Sequence, residues 1–440
     1  SFFSLRLNQE MKIAMPNRLA AVGSGSEMMD ELSLAVTLVE TGQYEEGLRK
    51  IKEILNNADD DTAFQIATLY EQWGMADEAY NILKRLHRVH PGHSDILLAL
   101  GEAALDLGKE DEALEWLSSI HPLDENYLSA ELLLADIYQA QGLEEVAENH
   151  LLKAHRAAPE EPVILFALAE FYMSTGQPGK AEKYYKEVLH AERLAHENVA
   201  LKLAEALSLN GKFEEALLYY RKGLEKEKTL DGLFGYGVTA LRVGKNQTAI
   251  RALEELKELD PNYSTLYPVL AEAYRNEGAM KEAMATLEEG MKVDEHNERL
   301  FLEAADLAVK NGELDRAESY LQRLLEWEPE HLEALRKLAA LKKEKGQNDE
   351  VIRLVTEQEE EDPDLLWFLA EAYMEEDRVE DALEVYGKVA DYFADDPQFL
   401  AGYGEAAWQS GDREKALGLF RAALKIDPTN EELRGFVERL

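Results

Sequence analysis

Carboxylate side chains recur in this chain at intervals close to 34 residues, a spacing that could hold them in one row. This acidic row is Glu102, Asp136, Glu170, Glu205, Glu272, Asp306, Glu371 and Glu405. Asp and Glu make up 88 of 440 residues, so one position in five is acidic by composition, whereas the row is acidic in eight of twelve repeating units. Carboxylates held together repel one another, and a cationic partner relieves that repulsion. The row favours a site for a positively charged ligand over the alternative, that its charge serves solubility alone.

The other side chains that could carry chemistry form no recognisable catalytic or metal-binding motif. His87, His90 and His93 are three residues apart, but Pro91 separates the last of them from any helix and no acidic ligand is fixed beside them. The sequence has no glycine-rich phosphate loop, no GxSxG and no HExxH. It also lacks cysteine, which excludes disulfides, thiolate metal ligands and a cysteine nucleophile. We therefore expect no enzyme activity, no cofactor and no metal.

Composition narrows the class of partner. The formal net charge is -41 at pH 7, which argues against nucleic acid and anionic membranes because both carry negative charge. Hydrophobic residues make up 46% of the chain, enough for a folded core. No stretch approaches the roughly 18 consecutive apolar residues that a membrane-spanning helix needs. We expect a cytoplasmic protein that binds other proteins.

The acidic row belongs to a repeated pattern that fixes where these residues lie. Twelve units, most of them 34 residues apart, are anchored at Gly42, Gly74, Gly108, Gly142, Gly176, Gly211, Gly244, Gly278, Gly312, Gly346, Asp377 and Gly411. A small residue, usually alanine, stands seven positions before and five positions after most anchors. Apolar residues at intervals of three and four on both sides of a glycine predict two amphipathic helices per unit. The step from Gly346 to Asp377 is only 31 residues, and we expect the sequence QEEEDPD to shorten the second helix there.

These units resemble the tetratricopeptide repeat (TPR). The resemblance rests on the small residues, the turn glycine, a terminal proline and a tyrosine four positions before the anchor, as at Tyr70, Tyr138, Tyr172, Tyr274 and Tyr373. It implies an all-α superhelical solenoid of about twelve helix pairs over residues 28–428, with a cap helix over residues 429–440. In length and repeat style the chain is similar to the long, acidic TPR proteins of Gram-positive bacteria of the YpiA type. For that type the resemblance implies an adaptor, in regulated proteolysis or envelope synthesis for example.

The resemblance also implies that the first helix of each pair lines a concave groove. The acidic row stands six positions before the anchors, on the same helical face as positions thirteen, ten and three before them. Ten positions before the anchors runs an apolar rail, Phe64, Leu98, Leu132, Phe166, Leu201, Phe234 and Trp367. We predict that the groove residues are the acidic row, the apolar rail, Thr68 and Trp408, and that they bind a basic amphipathic peptide.

Residues 1–22 are a candidate for that peptide. They precede residues 23–27, where Gly-Ser-Gly-Ser has the composition of a flexible linker and is followed by two methionines, so we expect an engineered fusion. The segment is cationic and apolar, and its candidate contact residues are Phe2, Phe3, Leu5, Arg6, Leu7, Met11, Lys12, Ile13, Met15, Arg18 and Leu19. Its pattern fits a short helix or a strand. A vector-derived tail is the alternative.

The sequence thus predicts a scaffold or adaptor that captures a basic amphipathic segment of a partner protein. If residues 1–22 are the ligand, they bind in cis along the first few repeats or in the groove of a neighbouring copy. The alternative is a regulatory subunit of an enzyme or protease complex, or an enzyme whose site is not recognisable in the sequence.

Overall fold

The computed structural model describes residues 26–438, with side chains from Asp30 onward. In this range the chain forms 25 α-helices, one short 3-10 helix at Glu192–Leu194 and no strand. It divides into two compact units, a first unit that ends at Thr239 and a second unit that begins at Ala240.

The helices alternate as first and second members of twelve pairs, followed by one short helix. In chain order they are α1 (Ser26–Glu40), α2 (Tyr44–Asn57), α3 (Asp60–Gln72), α4 (Ala76–Val89), α5 (Ser94–Asp106), α6 (Glu110–Ser118), α7 (Tyr127–Ala140), α8 (Glu144–Ala157), α9 (Pro162–Ser174), α10 (Pro178–Val188), α11 (Val199–Leu209), α12 (Phe213–Lys226), α13 (Leu230–Arg242), α14 (Asn246–Leu259), α15 (Leu266–Asn276), α16 (Met280–Val293), α17 (Glu298–Lys310), α18 (Leu314–Trp327), α19 (Leu332–Glu344), α20 (Asn348–Thr356), α21 (Pro363–Glu375), α22 (Val379–Val389), α23 (Pro397–Gln409), α24 (Arg413–Ile426) and α25 (Glu431–Val437). The predicted all-α fold with twelve TPR-type helix pairs is confirmed. The predicted linker, residues 23–27, overlaps the start of α1 at Ser26.

The turn between the two helices of each pair requires a backbone conformation that favours glycine at the anchor position. All eleven anchor glycines have φ between 68° and 92°, the left-handed region in which a Cβ would be strained. At Gly108 the turn closes with two backbone hydrogen bonds, Gly108 N to Leu105 O at 2.9 Å and Lys109 N to Ala104 O at 2.8 Å. The second bond satisfies a carbonyl that the helix end would leave unpaired. Asp377 adopts the same conformation at φ 57°, which Asp tolerates better than most residues.

The small residues let the two helices of a pair approach closely. A Cβ built on Gly101 would lie 2.6 Å from the Leu117 side chain, and one on Gly404 would lie 2.6 Å from Phe420. The alanine after the turn is fully buried, as at Ala113. A larger residue at these positions would push the helices apart, so the spacing of small residues in the sequence encodes the pairing of the helices.

Two of the tyrosines that the sequence pattern places in the first helices, Tyr172 and Tyr274, join consecutive repeats. Tyr172 donates a hydrogen bond through its Oη to Glu148 of the preceding repeat at 2.7 Å, and Tyr274 donates one to Glu254 at 2.8 Å. Burial raises the pKa of Tyr274 to about 12, with a further contribution from Glu254. Tyr274 therefore stays a neutral donor at physiological pH, and each of the two bonds links two repeats.

The second helices α6 and α20 are short, and the segments that follow them differ in whether they bury an apolar side chain. The helix α20 has nine residues, which confirms the expected shortening after Gly346. The helix α6 also has nine residues, and there Ile120 in the following segment is buried against the core. At the C-terminal end, Phe436 of α25 packs against the rings of Trp408 and Phe420, both at 5.6 Å. The helix α25 thus covers apolar surface of the last pair.

Candidate functional site

All predicted groove residues lie on the first helices of the pairs. Within the first unit α5 contacts α7 and α7 contacts α9, and within the second unit α15 contacts α17 and α21 contacts α23. First helices of consecutive repeats therefore stand side by side. In each unit this brings equivalent positions of neighbouring repeats close together and makes a row of side chains out of residues that are about 34 positions apart in sequence.

The apolar rail is partly core. Leu98, Leu132 and Phe166 are 2%, 1% and 0% exposed, so these side chains fill the space between helices. Phe64, Leu201 and Phe234 are half-buried. Those three are the rail residues of the first unit that reach solvent and could contact a ligand.

Three further predicted groove residues, Trp367, Thr68 and Trp408, contact other parts of the chain. Trp367 is half-buried and packs against Phe393 at 4.9 Å and Phe399 at 5.4 Å. Thr68 donates its Oγ1 hydrogen bond to the Phe64 carbonyl one turn earlier at 3.1 Å. The Trp408 ring lies between Phe436 of α25 and the guanidinium of Arg413, which is 5.1 Å from the ring centroid. Part of each of these surfaces is already covered by the chain itself.

In the second unit the acidic row is largely neutralised by basic residues of neighbouring repeats. Glu272 pairs with Arg299 at 3.4 Å and Asp306 pairs with Lys337 at 2.6 Å. Glu371 forms an ion pair with Lys343. The last member, Glu405, is exposed and accepts a hydrogen bond from Gln409 at 3.4 Å.

In the first unit the members of the acidic row differ in burial and in ion pairing. Glu102 is buried and Asp136 is half-buried. Glu170 pairs with Lys202 at 3.0 Å and also accepts the hydroxyl of the fully buried Tyr185. Glu205, in the following repeat, is exposed, and no basic side chain in residues 30–438 forms an ion pair with it.

Besides burial, the charge of Glu205 raises the pKa of two tyrosines, Tyr185 and Tyr220, so its carboxylate lies close to both side chains. Burial raises the pKa of Tyr185, and the charges of Glu170 and Glu205 raise it further. Burial likewise raises the pKa of Tyr220, with Glu205 as the next contribution. The Glu205 carboxylate therefore lies near two hydroxyls that stay neutral, and its own negative charge is not balanced by a cation.

Sequence reasoning missed two residues of this face, Asp106 and Leu209. Each stands four positions after a member of the row, Glu102 or Glu205, so a step of four along the helix would have found them. Asp106 is solvent-exposed, yet nearby protein displaces enough water from its carboxylate to raise the pKa. Leu209 is 65% exposed. They add a carboxylate that lacks a basic partner among the described residues, and an exposed apolar side chain.

The three histidines that are close in sequence lie in separate contacts. His90 lies 2.8 Å from Asp60, and His93 lies 3.5 Å from Asp95. His87 packs edge-on against the Trp116 ring at 4.9 Å. The structure therefore does not bring these histidines together around one point.

A different group, Glu298, Glu328 and His331, has possible ligand atoms within 4.8 Å of one another. His331 Nδ1 accepts the backbone N–H of Ala334 at 3.2 Å and so caps α19, while Nε2 lies 3.0 Å from Glu298. In the neutral ring this places the proton on Nε2, and the imidazole has no lone pair left for a metal. The group is explained as a helix cap.

Residues 1–22, the candidate ligand, lie outside the described residues. Between Ser26 and Glu438 no helix is both long enough and apolar enough to cross a bilayer.

Comparison with known proteins gives a consistent picture of the family. The model described as "YpiA-like, tetratricopeptide repeats" matches residues 139–193, and "YpiA-like, C-terminal tetratricopeptide repeats" matches residues 363–430. A general tetratricopeptide repeat model matches residues 73–137, 277–342 and 308–364. The TPR repeat-containing protein YpiA of Bacillus subtilis (strain 168) is 36% identical over 410 residues, which are 92% of this chain and 97% of that protein.

Two solved structures are also similar. YrrB, described as a TPR protein with an unusual peptide-binding site, is 18% identical with a TM-score of 0.37, over 42% of this chain and 95% of that chain. The Cut9-Hcn1 hetero-tetramer is 13% identical with a TM-score of 0.35, over 99% of this chain and 98% of the matched chain.

Proposed function

We propose that this chain, which belongs to the YpiA-like family of tetratricopeptide-repeat proteins, is a protein-interaction scaffold whose first unit binds a basic amphipathic peptide segment of a partner. The binding surface would be the face of α5 to α13 that carries the acidic row within the first unit. The ligand would be a peptide with cationic and apolar side chains at intervals of three or four residues. Binding rather than catalysis would be the biochemical role, and we expect it to take place in the cytoplasm.

The observation that carries this proposal is the unbalanced charge of Glu205 beside exposed apolar surface. Glu205 is exposed and lacks an ion pair within the described residues, and Leu209, one helical turn later, is 65% exposed. Half-buried Phe234 lies on the next first helix. A cationic side chain could pair with Glu205 while an apolar neighbour covers Leu209.

The raised pKa of Asp106 supports the same reading. A carboxylate that has lost part of its hydration and has no basic partner is stabilised when a cation arrives, because the new pair restores the lost favourable interaction. Exposed ion pairs contribute only about 0.2–1 kcal/mol each. The charges would therefore govern the choice and orientation of the peptide, and the apolar contacts would supply most of the binding free energy.

Residues 1–22 supply a peptide from the same chain with which the proposal can be tested. Their charge is opposite to that of the row, with Arg6, Lys12 and Arg18 against the single acid Glu10. Tethering would raise the local concentration of the segment to the millimolar range where the geometry permits binding in cis. Capture by a neighbouring copy would instead give a concentration-dependent dimer or chain.

The test is a calorimetric titration of a synthetic peptide of residues 1–22 into the chain shortened to residues 26–440. We expect binding that weakens as salt rises, because exposed charges are screened beyond about 8 Å at 0.15 M ionic strength. Glu205→Gln should weaken binding about two- to fivefold, as expected for one exposed ion pair. The matched control is Glu371→Gln, which removes a row carboxylate already paired with Lys343 and should leave the affinity unchanged. No binding at any salt concentration, or equal losses in both variants, would contradict the proposal.

A further inference from the structure

A cavity of about 260 Å³ lies in the second unit between α20, α21 and α22. Its origin is the short helix α20, which ends at Thr356 after nine residues. The second helices α14, α16, α18 and α24 of the same unit each have 14 residues. Five missing residues shorten the helix by about 7.5 Å. The space that a full-length helix would occupy is left open.

The segment after α20 does not fill this space. After the equally short α6, the apolar Ile120 turns inward and is buried. After α20 the chain reads Glu-Gln-Glu-Glu-Glu over residues 357–361, and none of these side chains is suited to an apolar interior. Core side chains that each keep 5–8% exposure therefore form part of the cavity wall, Val355, Leu366, Leu369, Tyr373 and Val385. Polar side chains, among them Gln358 and Asp362, form the rest.

The rim of the cavity is acidic. Glu360, Glu361, Asp381 and Glu384 all line it, and the single basic residue of the lining is Lys388. Lys388 is shared between Glu361 at 3.3 Å and Glu384 at 3.7 Å. One cation thus serves two carboxylates, and no ion pair to Glu360 is formed within the described residues. A cavity with aliphatic side chains on part of its wall and surplus carboxylates at its mouth is complementary to a long aliphatic side chain that ends in a cation.

Beside the cavity, a guanidinium of the chain itself contacts two of the lining residues. Arg378 places its guanidinium 4.3 Å from the centroid of the Tyr373 ring and pairs with Asp381 at 2.7 Å. Arginine suits such a site better than lysine, since its planar group is less strongly hydrated and binds carboxylates through two parallel hydrogen bonds. The cavity is smaller than the roughly 300–1,000 Å³ of sites for drug-sized ligands, so its size fits one side chain.

We infer that this cavity is a second binding site, which takes an arginine side chain of a partner protein. The aliphatic stem of the arginine contacts Leu366, Leu369 and Val385, and its guanidinium pairs with Glu360 and Glu384 at the rim. The site lies within the second unit and shares no residue with the peptide-binding face proposed for the first unit. Either site can therefore fail its test without affecting the other.

The experiment titrates Nα-acetyl-arginine amide into the full chain carrying labelled leucine and valine methyl groups, observed by NMR. We expect the methyl signals of Leu369 and Val385 to shift with a Kd on the order of 1 mM, which is reasonable for a ligand of this size. The uncharged citrulline analogue should bind at least about tenfold more weakly, because it keeps the shape and loses the charge. The lysine analogue should also bind more weakly than arginine.

Two variants and a control make the result specific. Thr356→Trp, at an exposed position on the cavity edge, should fill the space and abolish the shifts, while Glu384→Gln should weaken binding about threefold. Glu375→Gln, an exposed carboxylate of α21 outside the cavity, should change nothing. Absence of methyl shifts with arginine, equal binding of citrulline or lysine, or unchanged binding in Thr356→Trp would each overturn the assignment.

Discussion

The acidic row occupies the same repeat position in both units, yet three of its four members in the second unit have a basic partner, against one, Glu170, for which an ion pair is found in the first. In the second unit Glu272, Asp306 and Glu371 are paired with basic residues of neighbouring repeats, whereas the last member, Glu405, is exposed and has no ion pair among the described residues. In the first unit Glu170 is paired with Lys202, and Glu205 in the next repeat is exposed without such a partner among the described residues. A repeated acidic position is thus part of the internal structure in one place and available for a ligand in another.

The difference shows that position within a repeat does not by itself determine function. The cations that neutralise the row stand at several repeat positions, thirteen, nine and three before the anchor for Arg299, Lys337 and Lys343. Each is present in some repeats and absent in others. Whether a carboxylate of the row can bind a partner therefore depends on its neighbours in the adjoining repeats.

The largest expected effect is a loss of stability when a buried residue of the apolar rail in the first unit is truncated. Phe166→Ala should reduce the stability of α9 and α10 by about 3–5 kcal/mol, because the side chain is fully buried and its removal leaves a cavity. Leu209→Ala, at an exposed position of the next first helix, should change stability by less than about 0.5 kcal/mol. Amide hydrogen exchange of the two variants measures both effects locally. Unchanged protection of α9 in Phe166→Ala would show that this rail residue is not part of the core.

The second prediction concerns Glu182, a buried carboxylate of the first unit whose charge is balanced by two lysines. Burial alone would raise the pKa of Glu182, but hydrogen bonds from Lys186 and Lys212 at 2.8 Å outweigh it. With a third from Asn210, they lower the pKa to about 2 from an ordinary value of 4.5. A lowered pKa stabilises the folded state above pH 4.5, and this contribution is lost as pH falls toward 2.

Glu182→Gln should therefore cost about 3 kcal/mol at pH 7 and well under about 1 kcal/mol near pH 2. Urea unfolding across this pH range measures the difference, with Glu187→Gln, an exposed neighbour, as the control. An effect of Glu182→Gln that is the same at pH 7 and pH 2 would exclude the ionised cluster as its cause.

The fold could be predicted from the sequence because each repeat carries local signals. A glycine that must adopt positive φ, such as Gly108, and small residues such as Gly101 and Ala113 define the turn and the close pairing of helices. These signals act over a few residues and recur in most of the twelve repeats. The short α20 was predictable for the same reason, since the chain between Gly346 and Asp377 is too short for a full second helix.

The candidate site was less predictable because it depends on contacts between repeats. The sequence identifies Phe166 and Phe234 as equivalent rail positions, yet the first is buried and the second half-buried. Whether such a side chain is covered depends on the sizes of the residues that the adjoining helices bring to it. Likewise, nothing local in the sequence pairs Asp306 with Lys337, which is 31 positions away.

The third prediction reverses the charge on which the peptide-binding proposal depends. Glu205→Lys should lower the affinity of the residue 1–22 peptide about tenfold, since it removes an attraction and adds a repulsion toward the same cationic side chain. Fluorescence anisotropy with a labelled peptide measures the change. The difference between the variant and the parent chain should shrink at 1 M salt, where the screening length is only about 3 Å. A difference that persists at high salt would point to altered folding and not to charge.

The smallest expected effect comes from removing the basic partner of Asp306 in the second unit, so that this carboxylate resembles Glu205. Burial disfavours the charged form of Lys337, but its hydrogen bond to Asp306 outweighs this and raises the pKa. Lys337→Met keeps the aliphatic contacts and leaves Asp306 without this partner. In a Glu205→Lys background, which suppresses the first site, the added change should raise peptide affinity about two- to threefold, as expected for one exposed ion pair. Lys310→Met, at an exposed position of α17, removes the same charge elsewhere and controls for the net charge of the chain. If both lysine variants raise the affinity equally, overall charge governs binding and the pairing state of the row does not.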